Sequence, residues 1–286
     1  MKWYQKYLAV FEKKLTEIPQ TVQEEISHKL QNFISDAPLV SVVVIAHNEE
    51  QHLWGCLWSL ADNLCDFPVE IIGVDNLSND HTVDIFRQSG IRYFQESRKG
   101  PGHARQCGLE QAKGKYYICI DADTLYPPRY IQTLVRQLER KGVAGVYSLW
   151  SFLPGKQYSG SKLFLYETLR DIHLKFQSFR RPELSVRGMV FGFNTAYGRE
   201  IGFRTDIIRG EDGSLALKLK QYGKLKFITT RKARAITSTT TLSSDGSLLK
   251  SLKVRIKKHL KSFTGYFISK NEYRDEDSNL LPKNKQ

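Results

Sequence analysis

Apolar side chains recur at every third or fourth position across the first 34 residues, which is the spacing of one face of an α-helix. Pro19 interrupts this pattern, and Thr21 followed by Glu24 has the spacing of a capping box that restarts a helix. We therefore expect residues 1–37 to form an amphipathic helical extension. Its balanced charges favour packing on the body of the protein, or on a second copy as a homodimer, over lipid.

From Val40 onward, short apolar runs alternate with helical stretches. The runs predict strands over Val40–Ala46, Val69–Val74, Ile91–Phe94, Tyr116–Ile120 and Val143–Leu149. Helices are expected over Glu49–Leu60, Asp80–Gln88, Gly102–Ala112, Pro127–Lys141, Leu163–Phe179 and Asp212–Tyr222. Near-continuous apolar strands separated by helices predict an α/β fold with a doubly wound, mostly parallel sheet. Ligands of such sheets bind beyond the carboxyl ends of the strands.

Composition narrows the class of protein. The chain has 286 residues, of which 41% are hydrophobic, too many for a disordered protein. No run approaches the ~18 apolar residues that span a bilayer, and the short patch Tyr7–Phe11 ends in charged residues, so no signal peptide is expected. Four cysteines without CxxC spacing favour reduced thiols. We expect a cytoplasmic protein, with peripheral association at the inner membrane face left open.

The net charge of +13 is concentrated near the C-terminus. Eleven Lys and Arg residues and a single acid lie between Lys224 and Phe263, a local net charge of +10. Within residues 243–270, apolar and basic positions separate onto two helix faces, whereas residues 271–286 read as a disordered polar tail. This basic amphipathic helix suits an anionic membrane surface, although its apolar face can equally cover the body of the protein.

Nucleic acid is the weaker explanation for this basic charge. Proteins that bind single strands interleave aromatic side chains with their basic residues. Between Lys224 and Phe263 the aromatic residues are Phe227 and Phe263 alone. We therefore expect no nucleic-acid partner.

Acidic residues follow the predicted strands, where an ionised carboxylate is unfavourable unless it binds something. Asp121 and Asp123 come directly after the fourth strand, a spacing suited to a hard divalent cation such as Mn2+ or Mg2+ bound to a diphosphate. A solvated turn or helix cap is the competing interpretation. Between Arg98 and Arg105, a glycine-containing loop leads into a helix, which suits an anion or simply a tight helix start.

Taken in order, five motifs resemble those of the family 2 glycosyltransferases over about residues 38–225. They are Asn48-Glu49, the Asp75–Asp80 segment, the Gly102–Gly108 segment, Asp121-Ala-Asp123 and Glu211-Asp212. The resemblance implies a GT-A catalytic domain, here residues 38–242. It also implies a nucleotide-diphosphate sugar donor, a cation that bridges the diphosphate, and inversion at the anomeric carbon.

The resemblance assigns donor-binding roles residue by residue. Asp123 becomes the direct metal ligand, and Asp121 lies near the ribose and the metal waters. Asp75 and Asn76 occupy the place of an acidic pair that reads the base, and the Asn leaves the base identity open. His47 falls where a residue packs against the base, although a structural role is equally compatible. The remaining donor-site candidates are Asn48, Glu49, Gly102 and Arg105.

For the chemical step, the resemblance makes Asp212, beside Glu211, the general base that takes the proton of the acceptor hydroxyl. Alone, two acids in the first turn of a helix are equally explained by the helix dipole. Gly192 and Asn194 match a stretch beside the acceptor. The Gln-x-x-Arg-Trp motif of processive synthases is missing. We expect a non-processive hexosyltransferase that acts on a glycan or lipid-linked acceptor in cell-surface glycan assembly. A sugar-phosphate nucleotidyltransferase is the enzymatic alternative.

Overall fold

The computed structural model describes residues 2–155, 158–239 and Asn279. The predicted basic helix over 243–270 and the tail over 271–286 lie outside these residues, apart from Asn279. Asn279 itself contacts the loop before α8, because its side chain donates to the Arg209 carbonyl over 2.8 Å, and α8 is residues Glu211–Leu219. No helix in the described residues is both long enough and apolar enough to cross a membrane.

The described residues contain ten strands. They are β1 (Val40–Ala46), β2 (Val69–Asp75), β3 (Arg92–Gln95), β4 (Tyr116–Asp121), β5 (Thr124–Leu125), β6 (Val143–Ser148), β7 (Trp150–Phe152), β8 (Phe191–Asn194), β9 (Lys224–Ile228) and β10 (Ala235–Thr237). Seven of them form one sheet in the order β3-β2-β1-β4-β8-β6-β9. Neighbouring strands are parallel except at β8, which is antiparallel to both β4 and β6. The predicted α/β class with a mostly parallel sheet is confirmed.

Helices cover both faces of this sheet. They are α1 (Gln20–Leu30), α2 (Glu50–Ala61), α3 (Thr82–Ser89), α4 (Pro101–Gln111), α5 (Tyr130–Leu138), α6 (Gly160–Arg180), α7 (Thr195–Ile201) and α8 (Glu211–Leu219). Because side chains alternate along a strand, Val42 and Val44 enter one core cluster and Val43 enters the other. α5 begins three residues later than predicted, since Pro128 disfavours helical backbone at the residue before it.

The N-terminal extension packs on the body of the protein. It consists of short 3-10 helices at Gln5–Ala9 and Leu15–Glu17, then α1 and a final 3-10 turn. The predicted capping box at Thr21 is wrong, because α1 begins at Gln20 with Pro19 as its N-cap residue. Tyr7 and Phe11 are buried against Leu125 and Ile236. A Cβ atom on Gly55 would lie 2.6 Å from Phe11 Cδ2, so only glycine lets this ring approach α2.

Three features escaped the sequence patterns. The glycine-rich stretch after residue 188 forms β8 and α7, β9 is an edge strand of the main sheet, and a second sheet has the order β5-β10-β7. The strands of the small sheet are only two or three residues long, so no periodicity could show them. Pairing of β10 with β5 places Thr237 opposite Thr124, directly after Asp123.

Replacing Phe11 by Ala tests whether the extension contributes to the core. The variant leaves a cavity beside Gly55 and His52, whose ring centroid lies 4.9 Å from that of Phe11. We expect the free energy of unfolding to fall by about 3 kcal/mol in urea titrations. The control is Thr16→Ala at an exposed position of the same segment, expected within about 0.5 kcal/mol of the wild type. Equal stability of the two variants would contradict this packing.

Candidate active site

Strand register brings the predicted acidic residues to one edge of the sheet. β1 pairs with β2 so that Ala46 lies opposite Asp75, and with β4 so that Ile45 lies opposite Asp121. Asp123 follows β4 by two residues, and Glu211 with Asp212 begins α8. The carboxyl ends of three central strands therefore share one acidic edge, as the sequence predicts.

A single buried guanidinium lies at the centre of this edge. Arg105, on α4, is only 3% exposed. Its Nη2 atom donates to Asp121 Oδ1 over 2.8 Å, and its Nε atom lies 3.0 Å from Asp212 Oδ1 and 3.5 Å from Glu211 Oε1. One positive charge is thus shared by three carboxyl groups from two separate elements. Its Nη1 atom has no hydrogen-bond partner among the described residues.

Glycines allow the backbone to approach this ion cluster. Gly100 has φ +133° and precedes α4, while Pro101 is the first residue of the helix. A Cβ atom on Gly102 would lie 2.2 Å from the Arg204 carbonyl oxygen, so this predicted donor residue has a packing role. At Gly188 a Cβ atom would lie 1.8 Å from Arg105 Nη2 and 2.6 Å from Asp212 Oδ2. Sequence reasoning missed Gly188, although it opens the glycine-rich stretch.

The two carboxyl groups assigned to catalysis and metal binding hold protons unusually tightly. Burial raises the pKa of Asp212 to about 8, and the charges of Glu211 and Asp121 add to this shift while Arg105 opposes it. Burial, followed by the charges of Asp121 and Glu49, also raises the pKa of Asp123 to about 6. Such shifts mark groups whose charged form lacks full compensation in the ligand-free protein.

Asp123 is held by hydroxyl groups that the sequence did not single out. Its carboxylate accepts from Ser238 Oγ over 2.8 Å, from Thr124 Oγ1 over 3.0 Å and from Thr237 Oγ1 over 3.3 Å. Tyr126 was also missed, and its hydroxyl accepts from the Asp121 N–H and donates to the Met189 carbonyl. In the part of the chain that the structure describes, no three His, Cys, Asp or Glu side chains are arranged to hold a metal ion.

Asp75 is a further buried carboxyl group whose oxygens lack full hydrogen bonding. It is 2% exposed, and its Oδ2 atom accepts one long hydrogen bond from the Ser78 N–H, at 3.4 Å. Its Oδ1 atom has no hydrogen-bond partner among residues 2–155 and 158–239. A buried carboxylate oxygen in this condition is costly unless a ligand donates to it.

The side-chain amide of Asn76 forms hydrogen bonds within the protein. It donates to the Glu96 and Arg98 carbonyls over 3.0 and 2.8 Å and accepts from the Gly100 N–H over 2.8 Å. Both donor hydrogens are used within the protein, so Asn76 holds the loop that leads into α4. His47 lies beside it, exposed, with Nδ1 2.6 Å from the Asn76 carbonyl oxygen.

The turn after β1 is tied to the loop after β2. Asn48 adopts φ +56°, and its Oδ1 atom accepts from the Asn79 N–H over 2.8 Å. The Glu49 N–H donates to Thr82 Oγ1, and its carboxylate lies 2.7 Å from His52 Nδ1. Asn48 and Glu49 thus build one wall of the edge that holds Asp75.

Asn194 does not join this site. The β4–β8 register places Asn194 opposite Tyr116, at the end of β4 remote from Asp121. Its side chain caps α7 by accepting from the Ala196 N–H over 3.0 Å. Gly192 lies within the sheet, where a Cβ atom would approach the Tyr117 carbonyl oxygen to 3.1 Å. Gly192 and Asn194 therefore lie away from the acidic edge, whereas Gly188 lies against Arg105 and Asp212.

A mostly parallel seven-stranded sheet with this acidic edge matches the architecture of GT-A glycosyltransferases. The chain belongs to glycosyl transferase family 2, whose profile matches residues 41–201. This match confirms the resemblance inferred from the five motifs.

Similar proteins support the same class. Glycosyltransferase RP339 of Rickettsia prowazekii is 31% identical over 150 residues, which is 46% of each chain. A structure of Staphylococcus aureus TarS 1-349 with UDP has a TM-score of 0.54 at 20% identity, covering 70% of this chain and 60% of that one. A structure of the mannosyltransferase PcManGT of Pyrobaculum calidifontis with GDP-Man and Mn2+ has a TM-score of 0.57 at 19% identity. The match covers 95% of this chain and 77% of that one. The chain spans less than half the length of the curated relatives it matches first.

The raised pKa of Asp212 predicts how stability depends on pH. As pH rises, the unfolded chain loses this proton near the ordinary carboxyl pKa of about 4, whereas the folded protein keeps it until about 8. The wild type therefore loses stability relative to Asp212→Asn across this window. We expect the difference in the free energy of unfolding, variant minus wild type, to grow between about pH 5 and about pH 8 in urea titrations.

The control is Asp206→Asn. A hydrogen bond from Arg204 lowers the pKa of Asp206, so this carboxyl is ionised throughout the same pH range. The corresponding difference should then stay constant. A constant difference for Asp212→Asn as well would mean that Asp212 is ionised in the folded protein.

Proposed function

We propose that this chain is an inverting, non-processive glycosyltransferase that moves a hexosyl group from a nucleotide-diphosphate sugar to a hydroxyl acceptor. The observation that carries this proposal is the ion cluster of Arg105 with Asp121, Glu211 and Asp212, beside the buried, uncompensated Asp75. Together these groups provide a donor site and a proton acceptor at the same edge of one sheet.

Asp75 is proposed to read the base of the donor. Its unpaired Oδ1 atom suits a ring N–H of uracil, thymine or guanine, all of which present donors next to a carbonyl. His47 and the turn at Asn48 form the adjacent wall. The structural neighbours named above hold UDP and GDP-Man, which fits a carboxylate able to accept from either base.

Asp123 and Asp121 are the residues proposed to hold Mn2+ or Mg2+. The donor set fits, because Asp121 and Glu49 both raise the pKa of Asp123, and a cation would relieve this repulsion among carboxylates. When bound, the cation supplies Lewis-acid stabilisation of the departing diphosphate. Asp123 is already oriented by the hydroxyls of Thr124 and Ser238, which limits its freedom to turn away.

Asp212 is proposed as the general base. The acceptor oxygen attacks the anomeric carbon on the face opposite the diphosphate, the bond from that carbon to the diphosphate oxygen breaks, and Asp212 takes the hydroxyl proton. The attack from the opposite face inverts the configuration. A raised pKa makes Asp212 a strong proton acceptor once it is ionised, and Arg105 fixes its position. Glu211, buried beside it, strengthens this basicity through its charge.

The acceptor is proposed to be a hydroxyl of a glycan or a lipid-linked sugar. Support comes from the name of one relative, the poly(ribitol-phosphate) beta-N-acetylglucosaminyltransferase TarS, which is 32% identical over 92 residues. The loop around Gly188 borders both Arg105 and Asp212, so it is the natural edge of the acceptor site.

Two substitutions test the chemistry. Asp212→Asn removes the proton acceptor and Asp123→Ala removes the metal ligand, and each should lower transfer by at least about 100-fold. The measurement is release of nucleoside diphosphate from a panel of UDP-, GDP- and dTDP-sugars with Mn2+ and simple glycoside acceptors. Asp206→Asn, at an exposed carboxylate paired with Arg204, is the control and should keep full activity. Wild-type rates in either test variant, or release of pyrophosphate in place of nucleoside diphosphate, would refute the proposal.

A third substitution separates donor binding from chemistry. Asp75→Ala removes the oxygen proposed to accept from the base, so the Kd for UDP or GDP should rise by about 10- to 100-fold in calorimetric titrations. The turnover number at saturating donor should change little. Asn79→Ala, with an exposed side chain on the same loop, is the matched control and should bind as the wild type does. Unchanged affinity in Asp75→Ala would remove Asp75 from the donor site.

A further inference from the structure

Helix α6 has two apolar faces. On its inner face, Leu163, Tyr166 and Leu174 are buried in the main core. Six large apolar side chains on its opposite side are exposed, and at 3.6 residues per turn they span an arc of about 140°. This outer face of α6 consists of Phe164, Leu165, Leu169, Ile172, Phe176 and Phe179. Its three phenylalanines are 70–77% exposed, which is unusual for side chains that normally dominate a core.

The charges of α6 are sorted between the same two sides. Its acids are turned inward, where Glu167 accepts from Ser151 Oγ and the Phe152 N–H over 2.7 Å each. Asp171 pairs with Arg170 and with Arg234. The basic residues Lys162, Lys175 and Arg180 are instead exposed. The outer face of α6 therefore combines apolar side chains with basic residues at its middle and at both ends.

We propose that the outer face of α6 docks the protein on an anionic lipid surface. Phenylalanine and leucine side chains enter the boundary between headgroups and acyl chains, and Lys and Arg at the same level meet the anionic headgroups.

Charge complementarity favours lipid over a second copy of the chain on this face. If a second copy paired its α6 with this one in antiparallel fashion, Lys162 would face the Arg180 of that copy, and a parallel pairing would bring identical cations together. A second copy would therefore gather like charges around an apolar contact, whereas anionic headgroups would neutralise them.

The position of α6 connects this surface to the active site. The helix ends at Arg180, and after the 3-10 turn Pro182–Ser185 the chain reaches Gly188, against Arg105 and Asp212. Asp171 also joins α6 to Arg234, just before β10, whose Thr237 contacts Asp123. Resting on the proposed function, this connection favours an acceptor held at the membrane, such as a lipid-linked sugar.

The test is vesicle flotation of the full chain. The triple variant Phe164→Gln, Phe176→Gln, Phe179→Gln changes only exposed side chains, and its control is Ile34→Gln with Leu64→Gln, two exposed apolar positions on other surfaces. With phosphatidylcholine vesicles containing about a third phosphatidylglycerol, we expect the triple variant to lose binding by about tenfold while the control binds as the wild type does. Added salt should weaken wild-type binding, because it screens the basic residues.

Several results would overturn the proposal. One is a triple variant that loses vesicle binding by less than about threefold. Another is a wild type that binds pure phosphatidylcholine vesicles as well as vesicles with phosphatidylglycerol at all salt concentrations. If light scattering gave the triple variant half the mass of the wild type while its flotation was unchanged, the outer face of α6 would be an interface with a second copy. Asp212→Asn should float as the wild type does, and the triple variant should keep donor-dependent release of nucleoside diphosphate with a water-soluble acceptor. Failure of the transferase assignment and failure of lipid docking are therefore distinguishable.

Discussion

The buried guanidinium of Arg105 is the interaction on which the rest of the site depends. It joins α4, packed on the first strands, to Asp121 at the end of β4 and to the start of α8 in the second half of the chain. Without it, three carboxylates would face one another in a partly dry space, and removing one partner of a buried ion cluster is strongly destabilising. The tight approach of Gly188 to this guanidinium shows that the backbone is built around it.

A second constraint acts through the small sheet. β10 pairs with β5 directly after Asp123, and its last residue Thr237 and the following Ser238 donate to the Asp123 carboxylate. Ile236 on the same strand belongs to the apolar cluster formed by Tyr7 and Phe11. The N-terminal extension therefore supports the strand that orients the proposed metal ligand. This explains why an apparently separate amphipathic segment is buried on the catalytic domain.

Sequence patterns predicted the elements that are determined by residues close together along the chain. β1 and β4 appear as apolar runs, and the parallel order of strands brings Asp75 and Asp121 together without further information. The patterns failed where tertiary contacts decide the outcome. The hydrogen bonds of Asn76 to the loop at Glu96, Arg98 and Gly100 could not be predicted, because these partners lie twenty or more positions away. The hydroxyls of Thr237 and Ser238 could not be predicted for the same reason, since only the fold brings them close to Asp123.

The electrostatics of the site run opposite to those of the whole chain. The protein carries a net charge of +13, yet three acidic residues of its active edge surround one buried arginine, and Asp75 and Asp123 lie at the same edge. A diphosphate cannot approach so many carboxylates unless some of them are neutralised. The raised pKa values of Asp123 and Asp212 show one way to achieve this, through protons, and a divalent cation provides another. A cation held by Asp121 and Asp123 would carry the positive charge that protons otherwise carry, so this edge would then tolerate a diphosphate while its carboxyl groups are ionised.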